Sequence, residues 1–416
     1  MNAAETESAI LISVDTGEFD AEASLDELRS LASTAGAEVL AEVIQRREHP
    51  DPALFLGKGK TAELKMLCSG GECTLIIADA SLTPSQARNI EAITGVRTID
   101  RTVLILDIFA MRARSNEGKL QVELAQLQYL LPRLHGKGTE LSRLGGGIGT
   151  RGPGETKLET DRRHIERRIK ALKEQLAAIE KRRGLLRARR EKTGVTVVCI
   201  AGYTNSGKST LLNALTDAGV LAENKLFATL DPTSRALRLP DGREVMLIDT
   251  VGFISRLPHE LVDAFKSTLE DVVSADLILS VCDASDPEYA QKLDVTERLL
   301  SDIGAGAIPR ITVLNKCDAV SGFWAVPSDR DTVRISALKK IGLEDLLSKT
   351  AAMLPGKRVR VRLLIPYDKG SVSGLVRREC AVLSESYEEN GLSLTVVADT
   401  VFLDRIKEYI IQGENT

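Results

Sequence analysis

Aromatic side chains are scarce in this chain of 416 residues: one tryptophan, six tyrosines and eight phenylalanines, 4% in all. So few rings argue against a platform on which successive single-stranded bases stack. Histidines number four, and the six cysteines (Cys68, Cys73, Cys199, Cys282, Cys317 and Cys380) never fall in a C-x-x-C spacing. Zinc is therefore not expected, and the thiols are expected to be reduced. No apolar run approaches the roughly 18–20 residues that span a bilayer, so no stable membrane insertion is expected. The opening residues, with Glu5 and Glu7, read as neither a secretory signal nor an Arg-rich transit peptide, and a cytoplasmic location is the expectation. Neither sign of charge dominates: the net charge is −4, so any nucleic-acid contact must come from a local basic patch.

What is present is a soluble α/β composition spread over a chain too long for one ordinary core. Its centre is Gly202-Tyr203-Thr204-Asn205-Ser206-Gly207-Lys208-Ser209, which fits G-x-x-x-x-G-K-[ST]. The run Val195–Ala201 before it reads as a buried strand, and Thr210–Thr216 after it has helical spacing. That strand–loop–helix arrangement turns backbone N–H groups and a positive helix end toward polyphosphate oxygens. Gly202 and Gly207 permit close approach of the backbone, Lys208 reaches the β and γ phosphates, and the Ser209 hydroxyl ligates Mg²⁺. Thr210 completes the phosphate-binding stretch.

Two further strand-end motifs follow in order. Val245–Gly252 ends in D-x-x-G: Asp249 is expected to hold Mg²⁺, and the Gly252 N–H to sense the γ-phosphate. Ile311–Asp318 ends in N-K-x-D. An Asp318 carboxylate accepts from guanine N1 and the exocyclic amine, a donor pair adenine lacks. Asn315 braces that site, the Lys316 stem covers the base, and Ser336-Ala337-Leu338 offers backbone N–H groups to guanine O6. A first switch is expected between Gly219 and Arg238, where Phe227-Ala228-Thr229-Leu230-Asp231-Pro232-Thr233 offers several hydroxyls. Thr229 is assigned to Mg²⁺, with Thr233 as its rival. The expected catalytic group is Lys208, Thr229 and Gly252. Phe253 stands where Ras-like enzymes carry a water-orienting glutamine, which predicts slow intrinsic GTP hydrolysis and a partner that completes the site.

Upstream, Leu120, Leu124, Leu127, Leu131 and Leu134 share a four-three rhythm with Ile165, Ile169, Leu172, Leu176 and Ile179. Two such seams close in sequence predict an antiparallel helical hairpin. Its connector, about His135 to Lys157, is rich in glycine and carries Arg143, Arg151 and Lys157. The second helix is strongly basic, from Arg162 to Arg190. A charge run is usually a solvated face; an excess of one sign in an acidic chain favours RNA instead. Ahead of the hairpin, strand-like Ile10–Val14, Glu38–Ile44, Thr74–Ala78 and Val96–Ile99 alternate with helical Leu25–Leu31 (Ser24 as its cap), Thr61–Leu67 and Ser85–Ile93. Gly57-Lys58-Gly59-Lys60 reads as a basic turn before a helix, with phosphate binding as the weaker alternative. In the tail, Val359–Ile365, Glu379–Leu383 and Leu392–Ala398 read as strands, Gly370–Arg378 and Asp404–Ile411 as helical. The expectation is an α/β protein: an N-terminal α/β domain (1–110), a long antiparallel hairpin with a Gly-rich basic tip (111–193), a P-loop GTPase domain (194–355) and a small C-terminal α+β domain (356–416).

The chain resembles the HflX family of translational GTPases. The resemblance rests above all on Gly146–Arg163, with Asp107–Ala110, Arg112–Arg114, Gly118–Leu127, Phe227–Thr233 and Asp249–Phe253 beside it. It implies a monomeric, Mg²⁺-dependent cytosolic factor that takes GTP and GDP, binds the large (50S) ribosomal subunit and separates stalled 70S ribosomes. By resemblance the tip, with Arg143, Arg151 and Lys157, contacts ribosomal RNA. Relatives that use ATP through the N-terminal region make Gly57–Lys60 a candidate for it. A different class of reading stays open: an RNA-binding or RNA-remodelling assembly protein switched by nucleotide.

Overall fold

The computed structural model describes residues 7–134, 153–193, 195–216, 226–227, 231–256, 271–320, 331–354 and 358–414. Two compact units are present. One contains Met1–Ala177 with Glu223–Asp231 and Ile254–Thr268; the other contains Ala178–Ala222, Pro232–Phe253 and Leu269–Thr416.

In the first unit β1 (Ser8–Asp15), β2 (Glu38–Arg46), β3 (Leu75–Ala78) and β4 (Arg97–Asp100) form a parallel sheet in the order β2-β1-β3-β4. Helices α1 (Ala21–Ala35), α2 (Lys58–Cys68), α3 (Pro84–Thr94) and α4 (Arg101–Arg112) lie between and after the strands. Residues Ala9–Ile12 of β1 and all of β3 are buried. Burial on both faces explains why these strands read as continuous apolar runs rather than alternating ones. Ile10, Ile12 and Val14 pack with Leu56, Leu64, Ile76 and Ile90.

One local expectation is corrected. Ser24 does not cap α1; Asp20 does, its carboxylate accepting from Glu22 N–H at 3.0 Å and Ala23 N–H at 3.1 Å. A carboxylate is the stronger acceptor and is favoured by the helix dipole. The Ser24 hydroxyl instead donates to Asp79 at 2.6 Å. The third helix starts as expected: Pro84 follows the cap Thr83, which forms a capping box with Gln86.

Helices α5 (Asn116–Leu130) and α6 (Pro153–Thr193) are the two arms expected of the hairpin. Ile165, Ile169, Leu172, Leu176 and Ile179 are all at least half-buried, whereas most of the charged residues between them are exposed; of the other expected row, Leu131 and Leu134 fall in a 3-10 turn after α5 ends at Leu130. Arg168 grips Glu123 of α5 through two bonds of 2.6 and 2.7 Å, joining the arms. Arg143 and Arg151 lie outside the described residues; Lys157 falls within α6, its side chain outside the described set.

In the second unit β5 (Thr196–Gly202), β6 (Thr233–Arg238), β7 (Glu244–Asp249), β8 (Leu277–Asp283), β9 (Arg310–Asn315) and β10 (Thr332–Arg334) form a six-stranded sheet in the order β10-β9-β8-β5-β7-β6. Only β6 runs antiparallel to its neighbour. Helices α7 (Lys208–Thr216), α8 (Tyr289–Asp302) and α9 (Leu343–Met353) accompany it. Alternate residues of β5 feed two cores. Val198 and Ile200 join Leu211, Leu212 and Leu247, while Val197, Cys199 and Ala201 join Ile248, Phe253 and Leu300.

The same unit holds an antiparallel sheet, β12-β13-β11-β14, made of β11 (Arg358–Ile365), β12 (Ala381–Glu388), β13 (Gly391–Asp399) and β14 (Ile410–Glu414), with α10 (Gly370–Glu379) and α11 (Thr400–Arg405). The expected helix over Asp404–Ile411 is overturned: α11 ends at Arg405 and Ile410 begins a strand paired with β11. At the β12–β13 turn Gly391 has φ +151°, and a Cβ there would lie 2.4 Å from the Ile365 carbonyl oxygen. All six cysteines are free, five of them buried. Among the described residues no helix is long and apolar enough to cross a membrane.

Candidate nucleotide site

Strand β5 ends at Gly202 and α7 begins at Lys208, so Tyr203–Gly207 form the connecting loop, as the motif requires. Gly202 has φ +147°, and a Cβ there would sit 2.1 Å from the Val281 carbonyl oxygen; no other residue fits. Gly207, at φ +91°, is closed off equally, with Asn315 Nδ2 2.3 Å from where its Cβ would be. The Lys208 side chain is buried, its Nζ donating to the carbonyls of Gly202 (3.1 Å) and Tyr203 (2.7 Å). Burial lowers its pKa to about 8, against the opposing pull of Asp249. Asn205 adopts φ +61° in the same turn. The hydroxyl oxygens of Thr204 and Ser206 are buried without a hydrogen-bond partner in a loop built for polar ligands.

Strand β7 delivers Asp249, fully buried, beside α7: Ser209 Oγ donates to Asp249 Oδ2 at 2.7 Å. A hydroxyl and a carboxylate brought together at the phosphate end of the loop are hard oxygen donors of the kind Mg²⁺ takes, and the residues fit that ion. A Cβ on Gly252 would lie 3.0 Å from Lys208 Nζ and 2.8 Å from Thr204 Cγ2, which puts its backbone against the loop. Phe253 is held there by two backbone bonds, its N–H to Gly202 O (3.0 Å) and its carbonyl from Thr204 N–H (2.7 Å). Its ring is buried in the core with Val197, Cys199 and Ala201, so it orients no water.

The residues expected to read the base converge as well. Asn315, at the end of β9, donates through Nδ2 to Ser206 O (2.9 Å) and accepts through Oδ1 from Ala337 N–H (3.0 Å). One side chain thus ties the phosphate loop to the Ser336–Leu338 loop. Lys316 takes φ +60° and its Nζ reaches Asp283 at 2.6 Å, a partner not foreseen from sequence. The Ser336 hydroxyl holds the Asp318 carboxyl below the usual carboxylate range, and Lys339 stands 3.4 Å away. Ser336 and Ala337 are buried, Leu338 exposed. Thr210 is half-buried at the start of α7.

Thr229 lies outside the described residues; Thr233 opens β6 and pairs across the ladder with Asp249. Phe227 falls in the first unit, its ring edge-on to Phe109. In that unit too, Arg256, just after the D-x-x-G-F segment, donates to the Asp79 carboxylate at 3.0 Å and the Asp79 carbonyl at 2.9 Å.

The Lys208 pKa sets a pH dependence. A triphosphate at the expected position would hold this lysine in its charged form, whereas burial disfavours that form in the protein alone. Below pH 7 both states carry the proton and affinity is flat. Above about pH 8 binding must take one up. GTP affinity is therefore expected to fall about tenfold between pH 7 and pH 9. Titration of the dissociation constant checks this, with Lys208→Arg, charged throughout, as the variant that stays flat.

Residues 22–110 match the GTP-binding GTPase N-terminal family, residues 112–190 the GTP-binding GTPase middle region, and residues 197–316 the 50S ribosome-binding GTPase family. The GTPase HflX of Caldanaerobacter subterraneus subsp. tengcongensis is 52% identical over 411 residues, 98% of this chain and 95% of that one. The GTPase HflX of Escherichia coli is 42% identical over 392 residues, 92% of each. Among solved structures, a GTP-binding protein from Sulfolobus solfataricus in complex with GDP is 26% identical. It covers 84% of this chain and 98% of that one at a TM-score of 0.44.

Proposed function

Since this chain belongs to the HflX family of GTPases, a group of GTP hydrolases, we propose that it uses GTP on the ribosome, binding the large subunit and separating stalled 70S particles. The observation that supports the reading is one chain in which the phosphate-loop, D-x-x-G and N-K-x-D residues converge and a long basic helix is exposed. Along α6, Arg163, Arg167, Lys170, Lys173, Lys181 and Arg182 are all exposed. Ion pairs such as Arg162–Glu166 at 2.9 Å and Arg163–Glu159 at 3.1 Å offset part of this charge. Exposed cations on an extended arm suit phosphate contact with salt-dependent affinity. The description of the matched central family, a 50S ribosome-binding GTPase, supports the same partner.

In this reading Ser209 and Asp249, with Thr229 or Thr233, would hold Mg²⁺, which would supply positive charge to offset that of the phosphates. Lys208 moves from the carbonyls of Gly202 and Tyr203 to the phosphates, keeping its proton. Gly202–Thr210 supply N–H donors, and the Gly252 N–H reports the terminal phosphate. Asp318, Asn315, Lys316 and Ser336–Leu338 read guanine. Phe253 leaves the water-orienting role to a group from the partner. The cationic tip, Arg143, Arg151 and Lys157, grips ribosomal RNA.

The test is a sucrose gradient of 70S ribosomes with the protein and GTP, a non-hydrolysable analogue, or GDP. Separated subunits are expected with the triphosphates, and little separation with GDP or with Arg151→Glu. Intact 70S particles under every nucleotide would instead favour an RNA-remodelling role. Equal splitting by Arg151→Glu would remove the tip from the mechanism.

A further inference from the structure

The segment that carries the first switch is anchored on the root of the hairpin. Asp231 Oδ2 accepts the backbone N–H of Arg114 at 2.8 Å and of Ser115 at 2.7 Å, and its Oδ1 accepts the Ser115 hydroxyl. Ser115 in turn caps α5, its Oγ accepting the Gly118 N–H at 2.8 Å. A Cβ on Gly118 would lie 2.6 Å from Asp231 Oδ1, so the carboxylate reaches the helix only because residue 118 has no side chain. Four residues before Asp231, Phe227 meets Phe109 of α4 edge-on, ring centroids 4.7 Å apart and planes at 82°. The α4–α5 corner is thus held twice, by a ring and by a carboxylate, from one short stretch more than a hundred residues away in sequence. The capping Ser115 is thus itself held by a carboxylate from a distant segment.

We propose that Asp231 is a positioning residue that couples the first switch to the first turn of the hairpin, with Gly118 as its obligatory counterpart. The proposal rests on the assignment of residues 219–238 as the first switch and needs no ribosomal partner. A single residue, Leu230, separates Asp231 from Thr229 along the chain. A nucleotide-dependent change at Thr229 pulls on the carboxylate and loosens or tightens the N–H groups at 114–118. The hairpin root then differs between the GTP and GDP states.

Hydrogen exchange read by mass spectrometry on the full-length protein tests this, comparing GDP with a non-hydrolysable GTP analogue. Peptides covering 111–121 and 219–238 are expected to change together in the wild type. In Asp231→Ala the 111–121 peptide should exchange about tenfold faster, because the N–H groups of Arg114 and Ser115 lose their acceptor and the capping Ser115 side chain loses its anchor. It should also become identical under both nucleotides while 219–238 still responds. Asp231→Asn, which keeps one acceptor oxygen, should restore part of the nucleotide dependence, as a purely structural cap would not. Should Asp231→Ala fail to fold, Gly118→Ala decides the matter: its methyl is compatible with the helix and displaces the carboxylate from the other side. A 111–121 peptide indifferent to nucleotide while 219–238 changes overturns the coupling and leaves the switch assignment standing. A 219–238 segment that never responds overturns the switch assignment and the coupling with it.

Discussion

Replacing Asp318 with asparagine is expected to cut the preference for GTP over ATP by on the order of 10³-fold. The proposed role is geometric: one carboxylate accepts two hydrogen bonds from the guanine edge. Ser336 already holds that carboxyl below the ordinary range, so it is charged at neutral pH. Asparagine keeps one acceptor and turns the other position into a donor facing a donor, an unpaired contact in a desolvated site. The same change should create affinity for xanthosine triphosphate, whose C2 carbonyl accepts where guanine's amine donates. Competition binding with the three nucleotides measures both effects, and an unchanged GTP-over-ATP ratio would remove Asp318 from base reading.

Loss of the Lys208 amine should be felt at every nucleotide with a β-phosphate. Lys208→Ala is expected to weaken GTP by on the order of 100-fold, the worth of two charge-assisted hydrogen bonds, and to abolish turnover. In the protein alone the amine satisfies two carbonyls, Gly202 and Tyr203, so the variant also leaves two buried acceptors with one donor fewer. Thermal unfolding with and without GTP separates the contributions. A lower midpoint without ligand reports the carbonyls, and a lost ligand-induced rise reports the phosphates. Full retention of GTP affinity would refute the assignment.

The legible parts of this chain were those where function forces local pattern. The phosphate loop, D-x-x-G and N-K-x-D each sit at the end of a strand buried on both faces. A run such as Val197–Ala201 therefore shows as an unbroken apolar stretch. The seam from Ile165 to Ile179 was visible for a related reason: charged neighbours set off its period. Other features depended on partners far away in sequence. Nothing local assigned α4, because the apolar run from Val103 to Phe109 has neither a clean helical nor a clean strand period when nearly all of it is buried. Ile410 and Ile411 continue a helix-like pattern, yet Ile410 pairs with Leu363 of β11, nearly fifty residues earlier, and Ile411 lies at an irregularity in that ladder. Ser24 was the nearer cap candidate, but its hydroxyl is taken by Asp79. Asp231 passed as one residue of a hydroxyl-rich motif; its partners at 114 and 115 are visible only in three dimensions.

Asn315 has a consequence that reaches beyond bracing. Its amide spans Ser206 on one side and Ala337 on the other, so the two recognition loops share a single rigid tie. A misfitting base that shifts residue 337 is transmitted to the phosphate cradle. If these loops bind phosphate and base as proposed, discrimination would be exercised twice, once in how tightly a nucleotide is held and again in how well its terminal phosphate is presented for cleavage. An adenine nucleotide forced into the site by concentration alone would still be a poor fuel.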